Sequence, residues 1–576
     1  MPTGPFASSA GVGRAEPEWA VLNKVVGVCG EDALFTSGEK SEAPLVLPSN
    51  VTDGDLSSLL KETEFDLLIV GAGLSGATLA ERCSKELGMR SLVIDKRGHL
   101  GGNCYDYVTS DNIRASKYGA HLFHTSSEKV WRYVTKFSEW IPFDHRVKGL
   151  VRDSDGKTQL VPIPPTQETV NLLKLAGGSK EIENEKEMEA WYAAQRVVPT
   201  DKKTGLPRPP KNGEEAALSL VGPDLYEKIF KHYTKKQWDK YPEELDASVL
   251  MRLPCRTTTD DRYFSDTHQA LPRRGYTRIF ENMLLRDENI AVKLNCDYFA
   301  NKRNDTLPRH KLLVYTGQID TYYASQGLPK LEYRSLRFEE TFMEDPGLGD
   351  ETEDVLDGKT NDGVGKDDSN GAEKTKEYFF QPAMVVNYPS PDVPWTRIVE
   401  YKHTPNQPGG AAPGDTSIDT RDTSNGPGDT GNGPGDTRNA TRATGAARNR
   451  RDATNRNGGV PRCATSIESG TNTNSNTTVK KRRRKGTLIA KEFSTAVGEP
   501  YYPVPNPKNR ALYEKYAALA KQEKNVAFVG RLASYKYFNM DQAVLNALEM
   551  FENLQENGVL APKRPPHLFG EGDGMK

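Results

Sequence analysis

The sequence predicts an α/β fold in which a Rossmann-type nucleotide-binding unit is followed by a mainly helical stretch and then a strand-rich one. Three observations lead there. An apolar run, Phe65-Asp66-Leu67-Leu68-Ile69-Val70, feeds directly into a glycine-rich turn and a helical pattern. Residues 168–238 carry mainly helical spacing, broken by a Lys/Pro/Gly stretch at 200–213. Short strands and turns then dominate from 250 to 401, and the C-terminal part returns to a strand at 526–529 and an amphipathic helix.

The first element carries the most chemistry. Gly71-Ala72-Gly73-Leu74-Ser75-Gly76 is a GxGxxG turn in its required strand-turn-helix context. Gly71 makes the tight turn, Gly73 admits a pyrophosphate close to the backbone, and Gly76 lets helix and strand approach. Leu74 and Ser75 open the helix whose positive N-terminus faces the phosphates. A second strand, 91–94, ends at Asp95, about 20 residues past the glycines, where a carboxylate can accept hydrogen bonds from a ribose. The next residues point to FAD rather than NAD. Lys96-Arg97 and Gly101-Gly102-Asn103 bring positive charge and bare backbone to the pyrophosphate, and His121 and His124 are placed to line an isoalloxazine ring. Read alone, a histidine here is more often structural than catalytic.

At 576 residues the chain exceeds one compact core, so two or three domains are expected. Hydrophobic content is 36% and mean hydropathy −0.68, so part of the length is expected to lack a core. That part is visible. Residues 344–376 are acidic and glycine-rich, and residues 404–486 are low-complexity with Pro-Gly-Asp-Thr repeats. Both read as disordered insertions in a sheet domain, and residues 1–62 read as a tail, a weak targeting sequence being the other reading. The basic run Lys480 to Lys485 reads as a solvated charge cluster, with a nuclear-import signal or anionic-surface patch as the sharper alternative.

A net charge of −2 gives no reason to expect nucleic acid. Six cysteines without CxxC spacing suit a reducing compartment and argue against a structural metal. No apolar run approaches the roughly 20 residues of a membrane span, and no signal core precedes residue 62. A cytoplasmic location follows as an expectation, which makes the sequons at Asn50, Asn304, Asn439 and Asn476 chance matches.

Several further blocks occur together. Tyr-Gly-Ala-His-Leu-Phe-His-Thr at 118–125, Tyr-Thr-Lys-Lys-Gln-Trp at 233–238, Arg252-Leu253-Pro254, Arg262-Tyr263-Phe264, Val-Pro-Trp-Thr-Arg-Ile at 393–398, Glu-Pro-Tyr-Tyr-Pro at 499–503 and Val-Gly-Arg-Leu at 529–532 follow Gly-Gly-Asn in order. Together they resemble the bacterial-type UDP-galactopyranose mutase family. The resemblance covers the chain from about Phe65 onward, apart from the insertions and some extra length near 195–213.

The resemblance implies a discontinuous FAD-binding Rossmann-type domain with a helical domain and a twisted antiparallel sheet domain. The FAD domain is expected at 63–134, 284–320 and 521–576, the helical domain at 135–249, and the sheet domain at 250–283 and 321–520. It implies interconversion of UDP-galactopyranose and UDP-galactofuranose on reduced FAD, whose N5 attacks the anomeric carbon to give a flavin-sugar iminium. An unidentified reductant, with NAD(P)H as one candidate, and a homo-oligomeric state are further expectations, as is supply of galactofuranose for glycan synthesis.

By the same matching, Trp238 stacks the uracil, joined by Tyr233 only if the 233–238 stretch as a whole lines the pocket, and Arg252 and Arg397 hold the diphosphate bidentately. Tyr263, Tyr502 and Tyr537 donate to it as neutral phenols. His124 modulates the flavin with His121 as a neighbour, and Arg531, Asn539 and Met540 contact the cofactor. One position departs from the pattern: Tyr537-Phe538-Asn539-Met540 has asparagine where the family commonly has aspartate. Asparagine caps a helix as well as aspartate does, so the cap is expected to survive without the charge. Two rival readings remain, an amine-oxidase-like FAD oxidoreductase and a weakened UDP-sugar-binding relative.

Overall fold

The computed structural model describes residues 63–176, 181–252, 254–346, 378–408 and 486–560. The tail, the basic run, and most of both expected insertions lie outside the described residues.

A five-stranded parallel sheet forms the nucleotide-binding part, in the order Ile290–Lys293, Ser91–Ile94, Glu64–Val70, Arg309–Tyr315, Val526–Phe528. Its strands come from three separated stretches of chain, so this domain is discontinuous. Five consecutive residues, 65–69, are fully buried because helices cover both faces, as parallel sheets require. The helix Leu74–Leu87 buries ten of its fourteen residues beneath the sheet, Tyr276–Leu284 and the C-terminal helix Met540–Glu556. It ends at Gly88, whose left-handed conformation (φ +62°) releases the chain into the second strand.

A larger sheet has seven strands in the order Tyr502–Pro503, Tyr333–Glu344, Gly486–Thr495, Arg397–Glu400, Val385–Asn387, Val147–Arg152, Thr158–Ile163. Its pairings are antiparallel except that between Val385–Asn387 and Val147–Arg152, which is parallel. Residues 147–163 therefore form strands inside a segment whose dominant pattern is helical. The reason is local: Val147, Gly149 and Val151 alternate with half-exposed or exposed neighbours at period two, a signal shorter than the helices that follow. Those helices, Glu185–Gln195 and Gly213–Leu225, pack with this sheet in a second core. The strand His268–Pro272 joins a separate three-stranded sheet with Phe123–Thr125 and Trp140–Pro142 instead of the large one.

The insertions are shorter than composition implies. Glu344 is still in register with Gly486 at the end of a ten-pair ladder. Thr404 and Asn406 are buried, and the Asn406 side chain donates to the Pro272 carbonyl at 3.0 Å. Gln407 accepts the Arg114 amide at 2.8 Å, so the chain is held to the core here by polar side chains that carry no hydrophobic signal.

Candidate active site

The glycine turn has the geometry of a phosphate cradle. Gly71 sits at φ +112°, and a Cβ there would meet Thr316 Oγ1 at 2.0 Å. A Cβ on Gly76 would meet the Gly71 carbonyl oxygen at 2.0 Å. Gly73 differs: its backbone is extended (φ −87°), and the nearest atom to a Cβ would be Gly102 Cα at 3.8 Å. The chain itself therefore does not require glycine at 73. Gly102 packs directly on Gly73, since a Cβ on it would come within 3.1 Å of Gly73 Cα, so two bare backbones lie side by side at the helix N-terminus.

Around this cradle the expected residues divide. The Asp95 carboxylate accepts the Ala72 amide and the Arg97 amide, each at 2.9 Å, which ties the end of the second strand to the glycine turn. Arg97 donates to Asn103 Oδ1 at 2.9 Å and lies over the Tyr118 ring at 4.4 Å. Lys96 turns away to an exposed ion pair with Glu499 at 2.7 Å. Ser75 is buried with its hydroxyl toward the Ala543 carbonyl, and Met540 packs in the core beside Leu74.

His121 Nδ1 is 2.8 Å from the Gly119 carbonyl, and burial pulls its pKa down to about 4, so the ring is neutral. His124 stacks on Phe264 at 3.6 Å, and its Nδ1 is 2.8 Å from Asp266 Oδ2. That contact places a proton on Nδ1, facing the carboxylate.

A second cluster joins the large sheet to the C-terminal helix. Antiparallel register sets Arg397 opposite Glu492 on one side and Asn387 on the other. The Arg397 Nε is 3.3 Å from Glu492 Oε1, but its N–H finds no well-aligned acceptor. Burial works against its charge, yet Glu492 outweighs that and holds the guanidinium protonated. The Tyr233 hydroxyl reaches Asn387 Oδ1 at 3.5 Å. Burial raises the Tyr502 pKa far above its usual value, so it remains a donor.

Arg252, exposed at the end of Ser248–Met251, donates to Asn539 Oδ1 at 3.1 Å and lies over the Tyr537 ring at 4.6 Å. Arg531 donates to the Tyr501 and Phe538 carbonyls and faces Tyr502 and Tyr537, each at 5.9 Å. Neither Arg252 nor Arg531 forms an ion pair with a described carboxylate. Asn539 is the N-cap of Met540–Glu556, with Gln542 Oε1 accepting its amide at 2.9 Å, so the capping box survives the loss of aspartate.

Trp238 is only 3% exposed and packs with Leu245, Val504, Tyr502 (6.0 Å) and Tyr537 (5.5 Å, edge-on). In this conformation it has no open face for a base. The structure thus brings Tyr233, Trp238, Arg252, Tyr263, Arg397, Tyr502, Tyr537 and Arg531 into one connected group. It adds Glu492, Asn387, Asp266 and His145, which sequence reasoning missed. His145 is 5% exposed with Nδ1 unpartnered, and burial with Arg397 and His124 nearby lowers its pKa to about 3. Asp266 alone had a usable signal, two residues past the Arg-Tyr-Phe block; the others depend on sheet register or on contacts between distant segments.

A Rossmann-type glycine turn beside three guanidiniums, two of them without a carboxylate partner among the described residues, defines the class of nucleotide-binding α/β protein. Comparison with known proteins narrows this. The family model described as UDP-galactopyranose mutase matches residues 228–350 and 471–537, and that of an NAD(P)-binding Rossmann-like domain matches 69–137. A probable UDP-galactopyranose mutase of Klebsiella pneumoniae is 30% identical over 84% of this chain and 93% of its own length. A dTDP-fucopyranose mutase of Escherichia coli is 29% identical over 84% and 96%. A UDP-galactopyranose mutase of Mycoplasma pneumoniae is 26% identical over 85% and 96%. Among solved structures, reduced UDP-galactopyranose mutase shares the fold with a TM-score of 0.52, at 14% identity over 86% of this chain and 96% of that one. The chain belongs to the UDP-galactopyranose mutase family and is an isomerase of that family.

Proposed function

We propose that the protein interconverts UDP-galactopyranose and UDP-galactofuranose with FAD bound in the cradle and active in its reduced form. One observation supports the cofactor above all: position 73, at the N-terminus of Leu74–Leu87, is glycine although a Cβ there would meet no protein atom closer than 3.8 Å. Gly71, Gly73, Gly76 and Gly102 would hold the pyrophosphate, with Asp95 toward a ribose, and Leu74, Ser75, Asn103, His121, Arg531, Asn539 and Met540 around the rest. Reduced FAD supplies, when bound, the nucleophile that lets the glycosidic phosphate bond break without net oxidation.

The chain's own residues do the remaining work. Arg397 and Arg252 hold the diphosphate and take up the negative charge that grows on it as the anomeric bond breaks. Tyr263, Tyr502 and Tyr537 donate to phosphate oxygens without adding charge. Trp238 and Tyr233 bind the uridine; with Trp238 covered by Tyr502 and Tyr537, the base enters as those phenols turn toward the phosphates. Asp266 orients the His124 ring through Nδ1, which would set it beside the cofactor. The reaction consumes no electrons, but a reductant such as NAD(P)H is needed to prime it. The product would supply galactofuranose for glycan synthesis.

The test is to incubate dithionite-reduced protein with UDP-galactofuranose and resolve the products by chromatography. A parallel arm uses dTDP-fucofuranose, because the Escherichia coli relative is almost as similar as the Klebsiella one. UDP-galactopyranose formed only after reduction supports the reading. No conversion, or oxygen-dependent turnover of the oxidised protein, refutes it.

A further inference from the structure

Lys236 is an ammonium held entirely by backbone. Its Nζ donates toward the carbonyls of Ser390 and Trp395, each at 2.9 Å, of Val393 at 3.3 Å, and of Tyr388. Four acceptors surround a group with three protons, and no carboxylate among the described residues bonds it. These carbonyls belong to the turn joining strands Val385–Asn387 and Arg397–Glu400, closed by the Tyr388 amide donating to the Thr396 carbonyl at 2.9 Å. Arg397 is the first residue after that turn. Lys236 lies on His232–Trp238, three residues from Tyr233 and two from Trp238, and the same helix is tied to the sheet by Tyr233 to Asn387 and by the Ser494 hydroxyl to the Gln237 carbonyl.

We propose that Lys236 is a positioning residue that couples the base-binding helix to Arg397, so that nucleotide-sugar affinity depends on its positive charge. The inference rests on the reading of Arg397 as a diphosphate contact. An ammonium gathers four carbonyl dipoles to one point and so fixes the turn more tightly than any neutral side chain of its length. With the turn fixed, the strand that begins at Arg397 starts at a defined position relative to Trp238. A loosened turn leaves Arg397 to fall back on Glu492, its register partner, at the expense of the ligand.

The half-buried site works against this charge. Burial lowers the Lys236 pKa to about 8, partly opposed by Asp392. Asp392 is itself exposed and bridged to Arg152 at 3.1 Å. The other groups around Lys236 are Tyr388, whose pKa burial raises, and Lys491, over the Trp395 ring at 4.8 Å. On its own helix stand His232, Tyr233 and the Lys235–Asp239 pair. Across the mildly alkaline range the chain can therefore be taken from the charged to the neutral clamp without mutation.

The experiment measures UDP affinity by calorimetry on flavin-loaded wild type, K236M and R397A, between about pH 7 and about pH 9. K236Q, which keeps a neutral donor, stands in if K236M does not retain flavin. At about pH 7, the Lys236 variant should bind UDP about tenfold or more weakly, with flavin content unchanged. The gap should close to within about twofold by about pH 9, as the wild-type ammonium discharges. A gap below about twofold at pH 7, or one that is the same at both ends, overturns the proposal, since a clamp that serves folding alone would not follow pH. The R397A arm separates the two readings. If R397A binds UDP as tightly as wild type, Arg397 is no diphosphate contact and the underlying reading fails. If R397A loses UDP while the Lys236 variant does not, only the coupling is wrong.

Discussion

Replacing Gly73 by alanine separates what the glycine turn does for the protein from what it does for the cofactor. In the protein alone the added methyl meets nothing closer than Gly102 Cα at 3.8 Å, and φ −87°, ψ −171° is open to any residue. The remaining cost is the poorer N-cap, about 1 kcal/mol at most. The apoprotein melting temperature should therefore fall by only about 2–4 °C. Toward a pyrophosphate bound at the helix N-terminus the same methyl keeps the ligand off the bare backbone and displaces one or two charged hydrogen bonds. At about 1.5–3 kcal/mol each, FAD affinity should drop by about 10- to 10⁴-fold. Gly76→Ala should do the reverse. Its methyl would sit 2.0 Å from the Gly71 carbonyl oxygen and 3.1 Å from Ile69 Cγ2, so helix and strand must part, at about 1–3 kcal/mol or more of stability. The assays are flavin absorbance after gel filtration, titration of apoprotein with FAD, and thermal melts without cofactor. A Gly73→Ala protein that binds FAD within about threefold of wild type refutes the cradle, because at least one charged hydrogen bond should have been lost.

Three other outcomes follow from the site. Arg397→Ala should lower kcat/KM by about 10- to 10⁴-fold, the worth of one or two charged hydrogen bonds, with flavin content intact. Asn539→Asp should change kcat by less than about threefold, since the capping box is already closed; a large gain would show that the missing carboxylate matters. His145, with its pKa near 3, stays neutral when folded while an unfolded histidine protonates near 6.5. The unfolded state binds the extra proton in that window, so stability is lost as pH falls from about 6.5 toward 3, at up to about 1.4 kcal/mol per pH unit. Denaturant melts across that range should show a shallower slope for His145→Gln, and an unchanged slope would remove His145 from the account.

The cofactor side was legible because it is local. Strand, GxGxxG turn, helix and Asp95 are written in about thirty consecutive residues, and steric demands at Gly71 and Gly76 act over neighbouring atoms. Even there, sequence pairs Lys96 with the phosphates, whereas the fold offers it Glu499 from a distant loop. The second cluster was legible only as separate blocks, because Arg252, Arg397 and Arg531 stand on three different elements. Their surroundings could not be read at all. Glu492 faces Arg397 only once the antiparallel register is known, and the carbonyls around Lys236 carry no side-chain signal.

Register also explains why the site lies where it does. Val385, Val399 and Ala490 are neighbours across three strands and belong to the second core. Two residues along each strand, on the same face, stand Asn387, Arg397 and Glu492. The same surface that buries apolar side chains therefore passes within one repeat to a polar row, with no change of sheet or of direction. In a sheet covered on both faces, alternation cannot flag this: Ile398, Val399 and Glu400 are all nearly fully buried, so Arg397 follows no polar-out rhythm. A guanidinium at a core-facing position is costly unless something offsets it. Glu492 offsets part, and the imperfect alignment of the Arg397 Nε leaves part unsatisfied. Under the proposed function, that unsatisfied donor is what a diphosphate would complete, and the turn gathered at Lys236 is what would keep it in place.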